Sequence, residues 1–236
     1  MSSACWAILP AAGIGSRMGG DLPKQYIELA GATIFEHSLH ALLACRQLSA
    51  VVVVLHPGDS RAANLPILDD VRVQSAVGGA QRSDSVLAGL DALAQRAAAD
   101  DWVLVHDAAR PCLQREDSLR LIAQVTDRGI GGILAEPIVD TVKQAGEDGL
   151  VAATLDRNTL WRAQTPQMFR LGELREALEH AAGRGLAVTD EASAMEMAGY
   201  PVQLIRGSSR NLKVTVPADL QLAAWYLRAQ AGSEQP

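Results

Sequence analysis

The sequence predicts an α/β fold: one domain over residues 1–236, with a doubly wound, mostly parallel sheet. Three observations lead to this prediction. Uninterrupted apolar runs, such as A-V-V-V-V-L at 50–55, are typical of strands covered on both faces. Amphipathic stretches alternate with these runs along the chain, as expected for parallel strands joined by helices. Hydrophobic residues make up 48% of the chain, which is enough for a substantial core.

Each element follows from its local pattern. The predicted strands span residues 5–9, 50–55, 71–75, 102–105, 132–135 and 202–205. Helices are predicted from Thr33 to about residue 45, over 83–99, 115–127 and 171–182, after Thr189, and at the end of the chain. Thr33 and Glu36 form a capping-box pattern, Thr189 is expected to cap its short helix, and Pro217 suits a first helical turn.

The alternating order breaks between about residues 137 and 160. Two short strands are predicted there, over 141–145 and 150–155, joined by G-E-D-G at 146–149 in a hairpin pattern. An isolated hairpin is only marginally stable in water, and this one carries the apolar residues Val142, Leu150, Val151 and Leu155. Two interpretations remain open: a protruding arm that packs against a second subunit, or a hairpin folded back on its own domain.

Composition excludes several classes of protein. The net charge of −6 argues against general nucleic-acid binding, which requires a basic face. No apolar run reaches the length of a membrane span, and the first residues lack the pattern of a signal peptide. Cys5, Cys45 and Cys112 are widely spaced, without a C-x-x-C pair. We therefore expect a cytoplasmic protein with no membrane association and no zinc site.

The stretch P-A-A-G-I-G-S-R-M-G-G-D-L-P-K-Q-Y at 10–26 follows the first predicted strand. Glycines let a backbone approach a ligand closely, and such a loop can direct its amides at phosphate oxygens. Gly13 and Gly15 alone are a weak signal, because the chain has neither the third glycine of the dinucleotide fingerprint nor a Walker A pattern. Together with the cations Arg17 and Lys24, however, they favour a triphosphate site over an ordinary turn.

Asp107 directly follows the predicted strand at 102–105. Ligands of doubly wound sheets lie at the carboxyl ends of the strands, so Arg17, Lys24 and Asp107 are expected to converge there. A single carboxylate in that place suits Mg²⁺ or another divalent cation, although a helix cap or a salt bridge to Arg110 would explain it equally well. His106 is interpreted as a packed neighbour rather than a ligand.

No candidate for a general base emerges, and one reaction class does not need one. A phosphate monoester is largely a dianion at neutral pH and can attack another phosphorus directly. The protein then supplies alignment and positive charge around the α-phosphorus and the departing pyrophosphate. The residues therefore favour nucleotidyl transfer.

Several motifs resemble one known family, the 2-C-methyl-D-erythritol 4-phosphate cytidylyltransferases of the nucleotide-diphospho-sugar transferase superfamily. They are A-A-G-I-G-S-R-M with L-P-K-Q-Y, then G-G-A-Q-R-S-D-S-V at 78–86, H-D-A-A-R-P at 106–111, R-A-Q-T-P-Q-M-F at 162–169, T-D-E-A at 189–192 and N-L-K-V-T at 211–215. The similarity runs nearly from end to end. It implies a Rossmann-like nucleotidyltransferase with a protruding β-hairpin arm, a homodimer joined through that arm, and the substrates CTP and methylerythritol phosphate.

The resemblance also implies a role for each matching residue. Arg17, Lys24 and Lys213 would be catalytic. The nucleotide would be bound by Ala11, Ala12, Gly13, Gly15, Gly79, Ser85 and Asp107. Methylerythritol phosphate would be bound by Asp107, Arg110, Thr141, Arg157, Thr165, Thr189 and Lys213, with Thr141 and Arg157 supplied across the dimer. Taken alone, each of these could be an ordinary cap, turn residue or solvated surface cation.

Two other functions remain open on the sequence. One is a cytidylyltransferase for another polyol phosphate, such as ribitol 5-phosphate. The other is a non-catalytic nucleotide-binding or scaffolding protein. A comparison of turnover with the two phosphates, and of CTP binding with turnover, separates the three.

Overall fold

The computed structural model describes residues 3–13 and 22–233. The strands are β1 (Cys5–Ala11), β2 (Glu28–Leu29), β3 (Ala32–Thr33), β4 (Leu48–Leu55), β5 (Val73–Val77), β6 (Trp102–Val105), β7 (Gly132–Pro137), β8 (Val142–Ala145), β9 (Val151–Leu155), β10 (Trp161–Arg170) and β11 (Gln203–Arg206). The helices are α1 (Ile34–Leu43), α2 (Arg82–Leu93), α3 (Arg115–Arg128), α4 (Leu171–Gly183), α5 (Glu191–Met197) and α6 (Pro217–Ser233). None of the helices within these residues is long and apolar enough to cross a bilayer.

The central sheet has seven strands in the order β11-β7-β10-β6-β1-β4-β5. Neighbouring strands pair in parallel except β10, which runs antiparallel to both β6 and β7. Helices α1 and α3 pack on one face, and α2, α4 and α5 on the other. The predicted doubly wound, mostly parallel α/β fold is therefore confirmed.

Most of the predicted elements are found, with shifted ends. The strand at 102–105 has the predicted bounds, and the capping box of α1 is present, with the Thr33 hydroxyl accepting from the Glu36 amide. The predicted helix at 83–99 ends earlier, at Leu93. Beyond it, the Asp101 carboxylate accepts hydrogen bonds from the Ala98 amide and the Trp6 indole, and so holds this segment as a turn against β1. Tertiary contacts therefore end α2 before its helical pattern ends.

The prediction for Thr189 as a helix cap is wrong. The N-cap of α5 is Asp190, whose carboxylate accepts from the Ser193 amide at 3.0 Å. A side chain caps a helix only from the residue just before the first turn, and Thr189 lies one residue too early. Its hydroxyl instead lies 3.3 Å from the Ser193 hydroxyl.

The predicted hairpin is confirmed. Strands β8 and β9 form a separate two-stranded antiparallel sheet, and several apolar residues around it are largely exposed. Val139 is 77% exposed, Leu150 68% and Val151 65%. At its base, the Arg157 guanidinium donates to the Val139 carbonyl at 2.7 Å. The hairpin therefore leaves apolar surface that its own domain does not cover.

Candidate active site

A cavity opens at the carboxyl end of the sheet, where the segments after β1, β5 and β6 meet. Eight of the residues singled out from the sequence line it: Ala11, Ala12, Gly13, Lys24, Gly79, Ser85, Asp107 and Lys213. Gln25, Gln81 and Arg82 line it as well. Gly15 and Arg17, two further predicted site residues, lie outside the described residues.

The wall of the cavity depends on a close approach between two backbone segments. An added Cβ at Gly78 would lie 2.5 Å from the Ala12 Cβ and 2.8 Å from the Ser85 Oγ, so a side chain there would force the segments apart. Ser85 is buried, and its hydroxyl donates to the Gln81 carbonyl at 3.1 Å. Small residues therefore let the first turn of α2 lie directly against the segment after β1.

Lys24 begins a short 3₁₀ turn whose position is fixed by its neighbours. The buried Gln25 amide donates to the Ala11 carbonyl at 2.9 Å, and the Tyr26 hydroxyl donates to the Asp59 carboxylate. The Lys24 ammonium itself donates to the Val214 carbonyl at 2.7 Å. Because Val214 directly follows Lys213, this hydrogen bond holds Lys24 against the segment that carries Lys213, at the rim of the cavity.

Asp107 is the electrostatic centre of the site. Its Oδ1 lies 3.1 Å from Arg82 Nε, and its Oδ2 lies 2.8 Å from Lys213 Nζ and 3.7 Å from Arg110 Nε. Burial alone would raise the pKa of this carboxyl, but the three cations hold its pKa far below the usual range. Asp107 is therefore ionised at neutral pH, and the salt bridge to Arg110 that the sequence suggested is one of three that it forms with described residues.

Thr165 and His106 form a hydrogen-bonded chain with the Asp107 backbone. The Asp107 amide donates to the Thr165 hydroxyl at 3.0 Å, and that hydroxyl lies 3.0 Å from His106 Nδ1. His106 Nε2 lies 3.1 Å from the Arg110 carbonyl, which can only accept, so Nε2 carries the ring proton and Thr165 donates to Nδ1. Burial lowers the pKa of His106 to about 4, so the ring is neutral, and the interpretation of His106 as a packed neighbour is confirmed.

The segment that carries Lys213 is anchored beside Asp107. The Val214 amide donates to the Ala109 carbonyl at 2.8 Å, and the Arg110 guanidinium donates to the Asn211 carbonyl at 2.7 Å. This segment belongs to none of the strands, so Lys213 is not a strand-edge lysine, although its side chain is 43% exposed. Its ammonium is directed at a carboxylate instead.

Five of the predicted substrate-binding residues do not line the cavity. Two of them, Arg110 and Thr165, contact Asp107 directly. The other three are Thr141, Arg157 and Thr189. Thr141 and Arg157 are exposed at the base of the hairpin. Thr189 is exposed too, two residues before Glu191, whose carboxylate pairs with Arg82. One chain by itself therefore gathers the nucleotide-side residues with Arg110 and Thr165, and leaves the arm residues apart.

Arg82 and Glu191 are site residues that the sequence reasoning missed. Both occur within motifs quoted above, but they are 109 positions apart and nothing in the sequence pairs them. The signal for Arg82 was its place in G-G-A-Q-R-S, three residues after Gly79, which was already assigned to the site. For Glu191, a charged residue at the start of a predicted short helix gave no indication that it would be buried.

The donors present limit how a metal ion could bind. Among the described residues there is no group of three or more histidine, cysteine, aspartate or glutamate side chains that could hold one. Within residues 3–13 and 22–233, Asp107 is the one carboxylate on the cavity wall. That donor set fits Mg²⁺, which commonly takes one or two carboxylates and completes its shell with substrate phosphates and water.

A doubly wound sheet with a glycine-lined, lysine-rimmed cavity at its carboxyl edge defines the chain as a nucleotidyltransferase-type α/β protein. Comparison with known proteins is specific about the family. The family model described as IspD, 2-C-methyl-D-erythritol 4-phosphate cytidylyltransferase, matches residues 5–229. The chain belongs to this family.

Individual relatives agree along nearly the whole chain. The 2-C-methyl-D-erythritol 4-phosphate cytidylyltransferase of Pseudomonas entomophila is 53% identical over 219 residues, 92% of this chain and 93% of the relative. That of Ectopseudomonas mendocina is 50% identical over 230 residues, 97% of each chain. The crystal structure of the Francisella tularensis enzyme covers 95% of this chain and all of its own, with 37% identity and a TM-score of 0.80.

Proposed function

We infer that this chain transfers CMP from CTP to 2-C-methyl-D-erythritol 4-phosphate, forming 4-diphosphocytidyl-2-C-methyl-D-erythritol and pyrophosphate. The chain is a nucleotidyltransferase of the family to which its relatives belong. The observation that carries the inference is the convergence of Lys24, Lys213 and the ionised Asp107 on one glycine-lined cavity. Cations beside backbone amides are the groups that a triphosphate requires.

The reaction exchanges one P–O bond for another. A phosphate oxygen of methylerythritol phosphate forms a bond to the α-phosphorus of CTP, and the bond from that phosphorus to the bridging oxygen breaks. Pyrophosphate leaves with the electron pair. Because the attacking phosphate is largely a dianion at neutral pH, no proton has to be removed, and the neutral, buried His106 is not needed as a base.

The chain's own residues orient the substrates and supply positive charge. In this proposal, Gly79 and Ser85 hold the cytosine, and Ala11, Ala12 and Gly13 lie along the triphosphate, which Gly15 is assigned to bind from the family motif. Lys24 and Arg17 stabilise the charge that grows on the α-phosphate, and Lys213 guides the incoming phosphate. Lys213 lies 2.8 Å from the Asp107 carboxylate, which supports its role, since this contact places the ammonium at the cavity before the substrate arrives.

A bound Mg²⁺, or another divalent cation, would neutralise triphosphate charge, and we assign Asp107 as its protein ligand. Arg110 and Thr165 are assigned to methylerythritol phosphate because both contact Asp107 directly. Thr189 is assigned to the same substrate, because it directly precedes Asp190, the N-cap of α5. These assignments rest on position and on the family motifs.

The choice of acceptor is tested by following pyrophosphate release from CTP and Mg²⁺ with each of two polyol phosphates. We expect turnover with methylerythritol phosphate, and kcat/KM lower by at least about 100-fold with ribitol 5-phosphate, because unmatched polar groups leave buried partners unpaired. Equal or greater turnover with ribitol 5-phosphate would identify the alternative cytidylyltransferase. Tight CTP binding without any turnover would favour the non-catalytic protein.

The arm at about residues 137–160 is proposed to join two chains into a homodimer and to carry Thr141 and Arg157 into the partner's site. Its exposed apolar residues support this, because burying Val139, Leu150 and Val151 against another chain would remove apolar surface from water and stabilise the dimer. Both Thr141 and Arg157 lie at the base of the arm and apart from the cavity of their own chain. The alternative is that Arg157 only braces the hairpin through the Val139 carbonyl.

Mixing two inactive variants separates these interpretations. Lys24→Ala and Arg157→Ala are each expected to be nearly inactive, and a 1:1 mixture, unfolded and refolded together, should recover about a quarter of wild-type activity. Half of the dimers would be mixed, and each mixed dimer would hold one intact site. If Arg157 acts within its own chain, no site in the mixture is intact and activity stays at the level of the variants.

A cytoplasmic location stays a prediction. The three cysteines are free and buried, which is compatible with a reducing compartment. Burial raises the pKa of the Cys5 thiol to about 11 and that of Cys112 to about 12, so neither is a reactive thiolate at neutral pH.

A further inference from the structure

Arg82 connects two carboxylates that come from different parts of the fold. Its Nη1 and Nη2 donate to the two oxygens of Glu191, at 2.5 and 3.0 Å, and its Nε donates to Asp107 Oδ1 at 3.1 Å. All three donor groups are thereby used in one fixed orientation. A bidentate guanidinium–carboxylate pair is the most directional ion pair available to a protein.

Glu191 is a rigid anchor for this pair. It is only 1% exposed, and a carboxylate buried so deeply requires a partner. It is the first residue of α5, and the start of that helix is attached to β10 through Gln167, which accepts from the Ala192 amide and donates to Asp190, both at 2.8 Å. Arg82 is therefore held by a group that cannot move independently of the sheet.

The arrangement determines which way Asp107 faces. With Oδ1 bound to Arg82, Oδ2 is left for Lys213 at 2.8 Å. The contact with Glu191 also occupies both Nη groups of Arg82, a residue of the cavity wall. Without Glu191, these groups could bind incoming phosphate oxygens. Removing Glu191 would release Arg82 toward the nucleotide and release Asp107 from its orientation.

We propose that Arg82, fixed by Glu191, is a positioning residue that orients the Asp107 carboxylate toward Lys213 for CMP transfer. The proposal rests on the function inferred above. Glu191 acts only through Arg82, so substituting Glu191 matters only while Arg82 is present. The alternative is that the Arg82–Glu191 pair only joins α5 to α2, and the pair would then stabilise the fold without affecting the chemical step.

The test uses Glu191→Gln, Arg82→Lys and the double variant in the full-length protein. The glutamine keeps the size of the side chain but not its charge, and a lysine ammonium cannot span both carboxylates. We expect each single variant to lower kcat about 10-fold, the usual scale for losing a partner of a site residue, with the CTP Kd within about threefold of wild type. The double variant should be about as slow as Arg82→Lys alone.

Asp91→Asn is the matched control, because Asp91 lies on the same helix as Arg82 and pairs with Arg175 of α4 at 2.5 Å, away from the cavity. It should leave kcat unchanged. The proposal would be overturned if the single variants had a lower melting temperature but a kcat within twofold of wild type. It would also be overturned if the fold-decrease in kcat of the double variant equalled the product of the two single decreases. Should Glu191→Gln not fold, Arg82→Lys decides on the same criterion.

Crystal structures of the wild type and Glu191→Gln read the orientation of Asp107 independently of turnover. We expect the hydrogen bond from Arg82 Nε to Asp107 Oδ1 to be absent in the variant. An unchanged Asp107 carboxylate would contradict the proposal. A wild-type protein without turnover would refute the proposed function, while these structures would still decide the positioning role.

Discussion

Replacing Lys24 by alanine is expected to lower kcat by about 100-fold or more, with a smaller change in the KM for CTP. An interaction that strengthens as charge develops in the transition state affects kcat, and the loss of one such contact typically has this magnitude. Arg17→Ala should have a comparable effect on the same grounds. Steady-state pyrophosphate release with both substrates varied gives the two constants separately.

Lys24 also donates to the Val214 carbonyl, so a structural effect has to be distinguished from a chemical one. Arg46→Ala removes one exposed cation away from the cavity and should leave kcat unchanged. Lys24→Arg keeps the charge and should retain more activity than Lys24→Ala. If Lys24→Ala turns over within about threefold of wild type, Lys24 is not part of the mechanism.

Asp107→Asn should lower kcat/KM for methylerythritol phosphate by about 100-fold or more. Asparagine keeps the shape but removes the charge that holds Arg82, Arg110 and Lys213 together. Lys213 would then lose the partner that places it at the cavity, and the assigned metal ligand would be weakened. The substitution tests two roles of Asp107, placing Lys213 and binding the metal. Only the loss of the metal ligand would raise the Mg²⁺ concentration needed for half-maximal rate.

Asp127→Asn controls for the loss of one carboxylate, since Asp127 is exposed on α3 and away from the cavity. Breaking a buried ion-pair cluster also lowers stability, so activity should be measured well below the melting temperature of the variant. Wild-type turnover of folded Asp107→Asn would show that the cluster serves stability alone.

The sequence predicts the framework of the fold well, because most strands of the central sheet are continuous apolar runs, which are typical of strands buried on both faces. It missed β10 as a strand, although R-A-Q-T-P-Q-M-F was identified as a motif. That strand carries buried Gln164, Thr165 and Gln167, whose polar groups are satisfied by partners far along the chain. A strand whose polarity is compensated by tertiary contacts has no apolar pattern to recognise.

The same limit applies to the site. Lys24, Asp107 and Lys213 could be chosen because each follows a recognisable strand end or lies within a family motif. The pairing of Arg82 with Glu191 depends on the packing of α5 against β10, which sequence spacing does not encode. Likewise, strand β5 begins at Val73 rather than at residue 71. Val71 is 95% exposed, and the Arg72 amide donates to the Asp70 carboxylate instead of to a neighbouring strand.

The proposed reaction requires the cations at the sheet edge to surround the phosphates of a bound pyrimidine nucleotide. A crystal structure of the wild type with CTP and Mg²⁺ tests this directly. We expect cytosine beside Gly79 and Ser85, with the Lys24 ammonium about 3 Å from a triphosphate oxygen. Nucleotide bound elsewhere, or Lys24 and Lys213 both out of hydrogen-bond reach of its phosphates, would contradict the account.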